Sequence, residues 1–84
     1  MTSLITITPN PAPKGSDIQI CYDFSQGATS PVTLTLDWDP SQQPSSVTLS
    51  AEDNCTTVSV NDNAKGLLIS DDTGQSEDDG VTLT

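Results

Sequence analysis

Residues Val32-Thr33-Leu34-Thr35-Leu36-Asp37-Trp38 alternate apolar and polar side chains without a break. Successive side chains of an extended strand point to opposite faces, so this period of two suits a strand with one dry face and one wet face. The alternation recurs over Leu4–Thr8, Asp17–Phe24, Ser46–Ala51, Thr56–Val60 and Gly80–Thr84, with a less regular apolar run at Gly66–Ser70. Segments rich in Pro, Gly, Asn, Asp and Ser separate the runs, and no helix-length stretch carries a helical period. Seven short strands at this spacing predict an all-β antiparallel sandwich or barrel. The inward phase comprises Ile5, Ile7, Ile18, Ile20, Tyr22, Phe24, Val32, Leu34, Leu36, Trp38, Val47, Leu49, Val58, Val60, Ile69, Val81 and Leu83.

That set fills two facing layers and leaves little over for a pocket. With 84 residues the expectation is one domain over 1–84, burying roughly 60% of the surface that the unfolded chain exposes. Such a core is marginal, and a covalent staple would help it. Twelve Asp and Glu against two Lys, with no Arg or His, give a formal charge of −10. This balance repels phosphate backbones and anionic membranes, so neither nucleic acid nor membrane insertion is expected. The acidity reads first as solubility, and second as attraction to a cation or a basic partner. Met1-Thr2-Ser3-Leu4-Ile5-Thr6 has neither the positive start nor the continuous apolar run of a secretion signal. The expectation is that a signal was already removed, or that export occurs by lysis or within a particle.

Pro9, Pro11 and Pro13 cannot donate to a ladder, which places Thr8–Ser16 at an edge or between strands in extended form. Glu52-Asp53-Asn54 and Asn61–Gly66 read as turns, and Asp71–Asp79 as the loop of the last hairpin. The Thr and Ser residues are spread over the polar phases of the strands, as on an exposed β face.

Ile5-Thr6-Ile7-Thr8-Pro9-Asn10-Pro11-Ala12-Pro13-Lys14-Gly15, then Ile18-Gln19-Ile20-Cys21-Tyr22-Asp23-Phe24, then a third strand ending in Trp38, resembles the start of an immunoglobulin-like or fibronectin type III-like module of the bacterial-surface or phage structural kind. The resemblance covers essentially the whole chain and implies a seven-stranded antiparallel Ig-like sandwich. It marks an architecture, not an activity. The chain departs from antibody-type domains, because Cys55 falls near the start of the fifth run and no Tyr stands two residues before it. Cys21 and Cys55, the only cysteines, both lie out of phase with their apolar neighbours and so face outward. In the Ig-like topology the second and fifth strands are antiparallel neighbours, which implies a Cys21–Cys55 bridge across the solvent face of the sheet. Two free thiols are the alternative. A metal or redox role is disfavoured, because neither His nor Cys-x-x-Cys is present. A bridge would point to an oxidising compartment or an extracellular particle.

Asp71, Asp72, Glu77, Asp78 and Asp79 crowd the last loop. Carboxylates with Thr73 and Ser76 among them suit a hard cation in principle, but no EF-hand spacing is present, so the expectation is an exposed, mobile loop without a metal. General acid–base chemistry without His needs a buried carboxylate or Lys. Asp37 and Asp39 lie on an outward phase and Lys14 and Lys65 in turns, so no enzyme, catalytic residue or cofactor is expected. The three aromatics Tyr22, Phe24 and Trp38 all take the core phase, which leaves no platform for a sugar. Asn54-Cys55-Thr56 matches the glycosylation acceptor pattern, though a bridge at Cys55 would hinder the transferase. The resulting expectation is a non-enzymatic building block with protein partners in an assembly, whether on a virion as capsid decoration, on a filament or on a cell surface. Its contacts would run through the edge strands Leu4–Thr8 and Gly80–Thr84, including self-association. The alternative is a Ca²⁺-dependent or carbohydrate-binding module of a secreted protein.

Overall fold

A computed structural model of the chain describes residues 3–84. Seven strands follow in order: β1 (Ile5–Thr8), β2 (Asp17–Tyr22), β3 (Val32–Asp39), β4 (Ser46–Leu49), β5 (Cys55–Ser59), β6 (Gly66–Asp71) and β7 (Asp79–Val81). They form two antiparallel sheets, one ordered β1-β2-β5 and the other β4-β3-β6-β7, and the described residues contain no helix. The inner faces of both sheets meet in one apolar cluster. Its centre is Ile18, Ile20 and Tyr22 from the first sheet and Val32, Leu34 and Ile69 from the second, all fully buried.

β3 shows how the alternation is used. Val32, Leu34, Leu36 and Trp38 are buried, while Thr35, Asp37 and Asp39 are exposed and Thr33 is half-buried. Trp38 meets the requirement that a buried indole N–H find an acceptor, since its Nε1 donates to the Pro44 carbonyl at 2.8 Å. The same bond anchors the Asp39–Ser45 connection, holding Pro44 over the end of β3.

Strand ends differ from the sequence expectation for local reasons. β2 stops at Tyr22 instead of Phe24, because Ser25 donates to the Asp23 carboxylate from both its N–H (2.9 Å) and its Oγ (2.5 Å) and turns the chain. β4 stops at Leu49 instead of Ala51, because Ser50 and Asp53 exchange backbone hydrogen bonds at 3.0 and 3.2 Å, making the turn earlier than Glu52–Asn54. β7 stops at Val81 instead of Thr84, because beyond the Leu67–Val81 pair the chain end turns to the proline segment, Thr82 and Thr84 bonding Ala12. Phe24, Ile7, Val47 and Leu83 accordingly end half-buried at the rim, not in the centre. Leu4, Ala12, Ala64 and Leu67 join the core although the alternation did not select them. In Gly66–Asp71 the Leu67-Leu68 pair hides the period, and the register with β3 turns Leu67 inward and leaves Leu68 exposed.

Cys21 and Cys55 stand opposite each other on β2 and β5, their Cα atoms 4.1 Å apart, and are joined in a disulfide. The pair is of the non-hydrogen-bonded kind, in which opposed Cα atoms approach most closely. The bridge lies on the outer face, half-buried, with Ile18, Ile20 and Val58 pointing the other way. With 34 residues of separation, the chain-entropy account assigns it about 4 kcal/mol. The double variant Cys21→Ala/Cys55→Ala is expected to lose about 3–4 kcal/mol in urea unfolding. Trp38→Ala, which empties the core and orphans the Pro44 carbonyl, should lose about 3–5 kcal/mol by the same measurement.

Candidate functional site

The most constrained polar group of the molecule is Asp71, the last residue of β6. It is buried, and four donors converge on its carboxylate. Tyr22 Oη donates to Oδ2 at 2.5 Å and Ser76 N–H to Oδ2 at 3.1 Å, while Thr73 N–H and Oγ1 donate to Oδ1 at 2.8 and 2.6 Å. Tyr22 belongs to the other sheet, so this is a buried hydrogen bond from sheet to sheet. Burial acts to raise the Asp71 pKa, but the hydrogen bonds from Thr73, Tyr22 and Ser76 outweigh it and hold the carboxyl below its ordinary 3.8. Burial, helped by the adjacent Asp71 charge, pushes the Tyr22 hydroxyl from 10.0 up to about 12.

This centre corrects the expectation of an acidic loop exposed along its whole length. Asp71 and Ser76 are buried, and Ser76 Oγ accepts from the Leu4 N–H at 2.8 Å. Gln75 accepts from the Thr29 N–H and donates to Thr73 Oγ1, each at 2.8 Å, and Ser3 Oγ stands 2.5 Å from Asp79 Oδ2. Only Asp72, Glu77 and Asp78 present exposed carboxylates, and that of Asp72 is engaged by Thr35 Oγ1 at 2.7 Å. Among the described residues no group of three or more His, Cys, Asp or Glu is arranged around a metal position.

The sheet edges differ in how they are finished. Beside β7, the proline segment runs parallel to the chain end. Ala12 N–H donates to Thr82 O (2.8 Å), Thr84 N–H to Ala12 O (2.9 Å) and Lys14 N–H to Thr84 O (3.2 Å), while the Asn10 amide serves Gly80 O and Thr82 N–H. Pro9, Pro11 and Pro13 occupy the alternate positions, where no donor is needed, so the new outer edge is blunt. The expectation of an open ladder at Gly80–Thr84 is therefore corrected: the chain covers that edge itself. On β5, the Gln42 amide donates to Ser59 O at 2.9 Å and accepts from the Asn61 N–H at 3.1 Å, as a neighbouring strand would. Among the described residues β4 has no such cover. Leu36 N–H donates to Ser45 O, which sets the alternation so that the N–H and C=O groups of Ser46 and Thr48 point away from β3. The backbone N–H and C=O of Ile7 in β1 likewise point away from β2, at the outer edge of the three-stranded sheet.

The other candidate residues are scattered. Asp37 and Asp39 are exposed on the outer face of the four-stranded sheet, as their phase requires, and Lys14 and Lys65 are exposed in turns. Tyr22 and Trp38 lie in the core, with Phe24 tilted against Tyr22 at a ring separation of 5.0 Å. Asn54 is exposed, but its side chain donates to Tyr22 O at 3.3 Å beside the disulfide. No protein-family profile, no curated protein and no solved structure matches this chain.

The Tyr22–Asp71 pair sets two limits of stability. A depressed carboxyl stabilises the fold above its unfolded pKa, and that contribution disappears as pH falls through the folded value below 3.8. A raised phenol stabilises below pH 10.0, and its contribution is lost as pH rises toward 12. Tyr22 is the single Tyr, so ultraviolet absorbance of the phenolate reads it alone. A native midpoint near 12 that falls toward 10 in urea is expected, whereas a native midpoint of 10 would refute the buried pair. Tyr22→Phe should remove the alkaline transition and lower neutral stability by about 1–3 kcal/mol, since Asp71 loses a buried partner.

Proposed function

We propose that this chain is a non-enzymatic structural or interaction module of the immunoglobulin-like or fibronectin type III-like kind, used as a building block of an extracellular assembly. A virion shell on which it serves as a capsid decoration is the most concrete version; a filament or a cell surface are the others. The grouping of β1, β2 and β5 in one sheet and of β3, β6 and β7 in the other supports the Ig-like reading, being shared with such modules, although β4 lies on the β3 edge instead of the β5 edge that the constant-type order uses. The disulfide on an outer face fits an oxidising surrounding.

The observation that carries the reading is the contrast between edges. β7 is covered by the proline segment and the end of β5 by Gln42, while β4, and Ile7 on the β1 edge, keep outward N–H and C=O groups without a partner among the described residues. Bare ladder groups are a template for an added strand, and natural sheets leave them only on short or engaged edges. β4, with four residues, is too short to drive indiscriminate pairing and long enough to fix the register of a partner.

Thr48→Pro removes one outward donor and leaves the bonds of Val47 and Leu49 to β3 in place. Assemblies purified from the producing organism are expected to hold the chain in a repeating ratio to their main component. The Thr48→Pro chain should fold with a melting temperature near that of the parent yet be left out of them. Recovery of the parent only as a free monomer, with saturable binding of Ca²⁺ or a saccharide in calorimetry, would replace this reading by the secreted binding module.

A further inference from the structure

Four side-chain positions of the outer face, Asp37, Asp39, Leu68 and Thr82, surround two glycines, and together they form a shallow open depression. The register explains it. Asp37 stands opposite Leu68 and Leu68 opposite Gly80, so one row across β3, β6 and β7 reads acid, leucine, glycine. The next row pairs Asp39 with Gly66. An added Cβ at either glycine would meet nothing within 4 Å, so the floor is bare backbone with room above it. Leu68, 41% exposed, is the one large hydrophobic side chain among the described residues left in solvent. It stands in this depression beside carboxylates that receive no hydrogen bond from any described residue.

We propose that this depression docks an extended segment of a partner protein carrying Lys or Arg at alternate positions, the stems of those side chains lying over Leu68 and the glycine floor and their charges meeting Asp37 and Asp39. Residues i and i+2 of one strand face are about 7 Å apart, the repeat of cationic side chains along one side of an extended segment. Long cationic side chains carry an apolar stem and a charged head, which matches a leucine flanked by acids. Charge complementarity selects the occupant. A second copy of this chain offers only Lys14 and Lys65 against twelve acids, and nucleic acid and anionic lipid carry the wrong sign. The inference deepens the interaction-module reading, naming a contact face and its chemistry in addition to the β4 edge.

The test uses the isolated chain, titrated with a capped peptide of alternating Arg and Thr and followed by backbone amide chemical shifts. Shifts centred on Asp37, Asp39, Gly66, Leu68 and Gly80 are expected. Gly80→Val fills the depression without touching a charge and suits a strand, so the fold should hold while the affinity falls about tenfold or more. Asp37→Asn/Asp39→Asn should weaken binding comparably, whereas Glu77→Gln/Asp78→Asn, which removes the same charge from the last loop, should weaken it far less. Absence of binding overturns the inference, as do equal losses in both double variants or full affinity in a folded Gly80→Val chain. These outcomes do not depend on any assembly: a chain found in particles that fails to bind the peptide refutes this face alone, and a chain that binds the peptide yet is never found in an assembly refutes the assembly reading alone.

Discussion

One buried hydrogen bond between the two sheets organises much of the rest: Tyr22 of β2 donating to Asp71 of β6. A carboxylate taken out of water is tolerated only with its acceptor sites filled. The chain around Asp71 is shaped to fill them, Thr73 and Ser76 being bent back so that their N–H groups reach the carboxylate. Ser76 in turn holds the start of β1 through the Leu4 N–H. One anion thus pins the loop before β7, the entry to β1 and the packing of the two sheets. Because every buried side-chain polar atom described has a partner, the core carries this polar centre without an orphaned group.

A small sandwich has little apolar area per residue, and the disulfide complements that core from outside it. Cys21–Cys55 ties β2 to β5 on the solvent face and uses no interior volume, so the inner face of β2 stays free for Ile18, Ile20 and Tyr22. The edge covers follow the same logic of satisfying the backbone locally. Prolines at every second position let Asn10, Ala12 and Lys14 pair with the chain end and offer no donor outward, and a single Gln side chain stands in for a strand beside β5. Against these finished edges, β4, Ile7 on the β1 edge and the Leu68 depression are the surfaces on which unpaired backbone and apolar area remain among the described residues.

The number and type of strands were legible in the sequence because a period of two, set by the extended backbone itself, survives in any tertiary setting. Cys21 and Cys55 could be placed on an outer face for the same reason: both oppose the phase of their apolar neighbours. The burial of Trp38 followed from its register with Val32, Leu34 and Leu36. These are local properties, readable one strand at a time.

What only the tertiary structure decided is which chemically ordinary residues meet. The phase of Ile69 puts Asp71 on the inner face and Asp72 on the outer one, but the partner that satisfies the buried carboxylate is Tyr22, 49 positions away in sequence and in the other sheet. Leu67 and Leu68 are identical in type, and the pairing of β6 with Trp38 and Asp37 of β3 sends one inward and one outward. The cover on β7 needs the proline segment and the chain end side by side, and the depression needs Gly80 opposite Leu68. The alternation specifies the faces of each strand, but long-range register determines their partners, and the interaction surfaces arise from those partnerships.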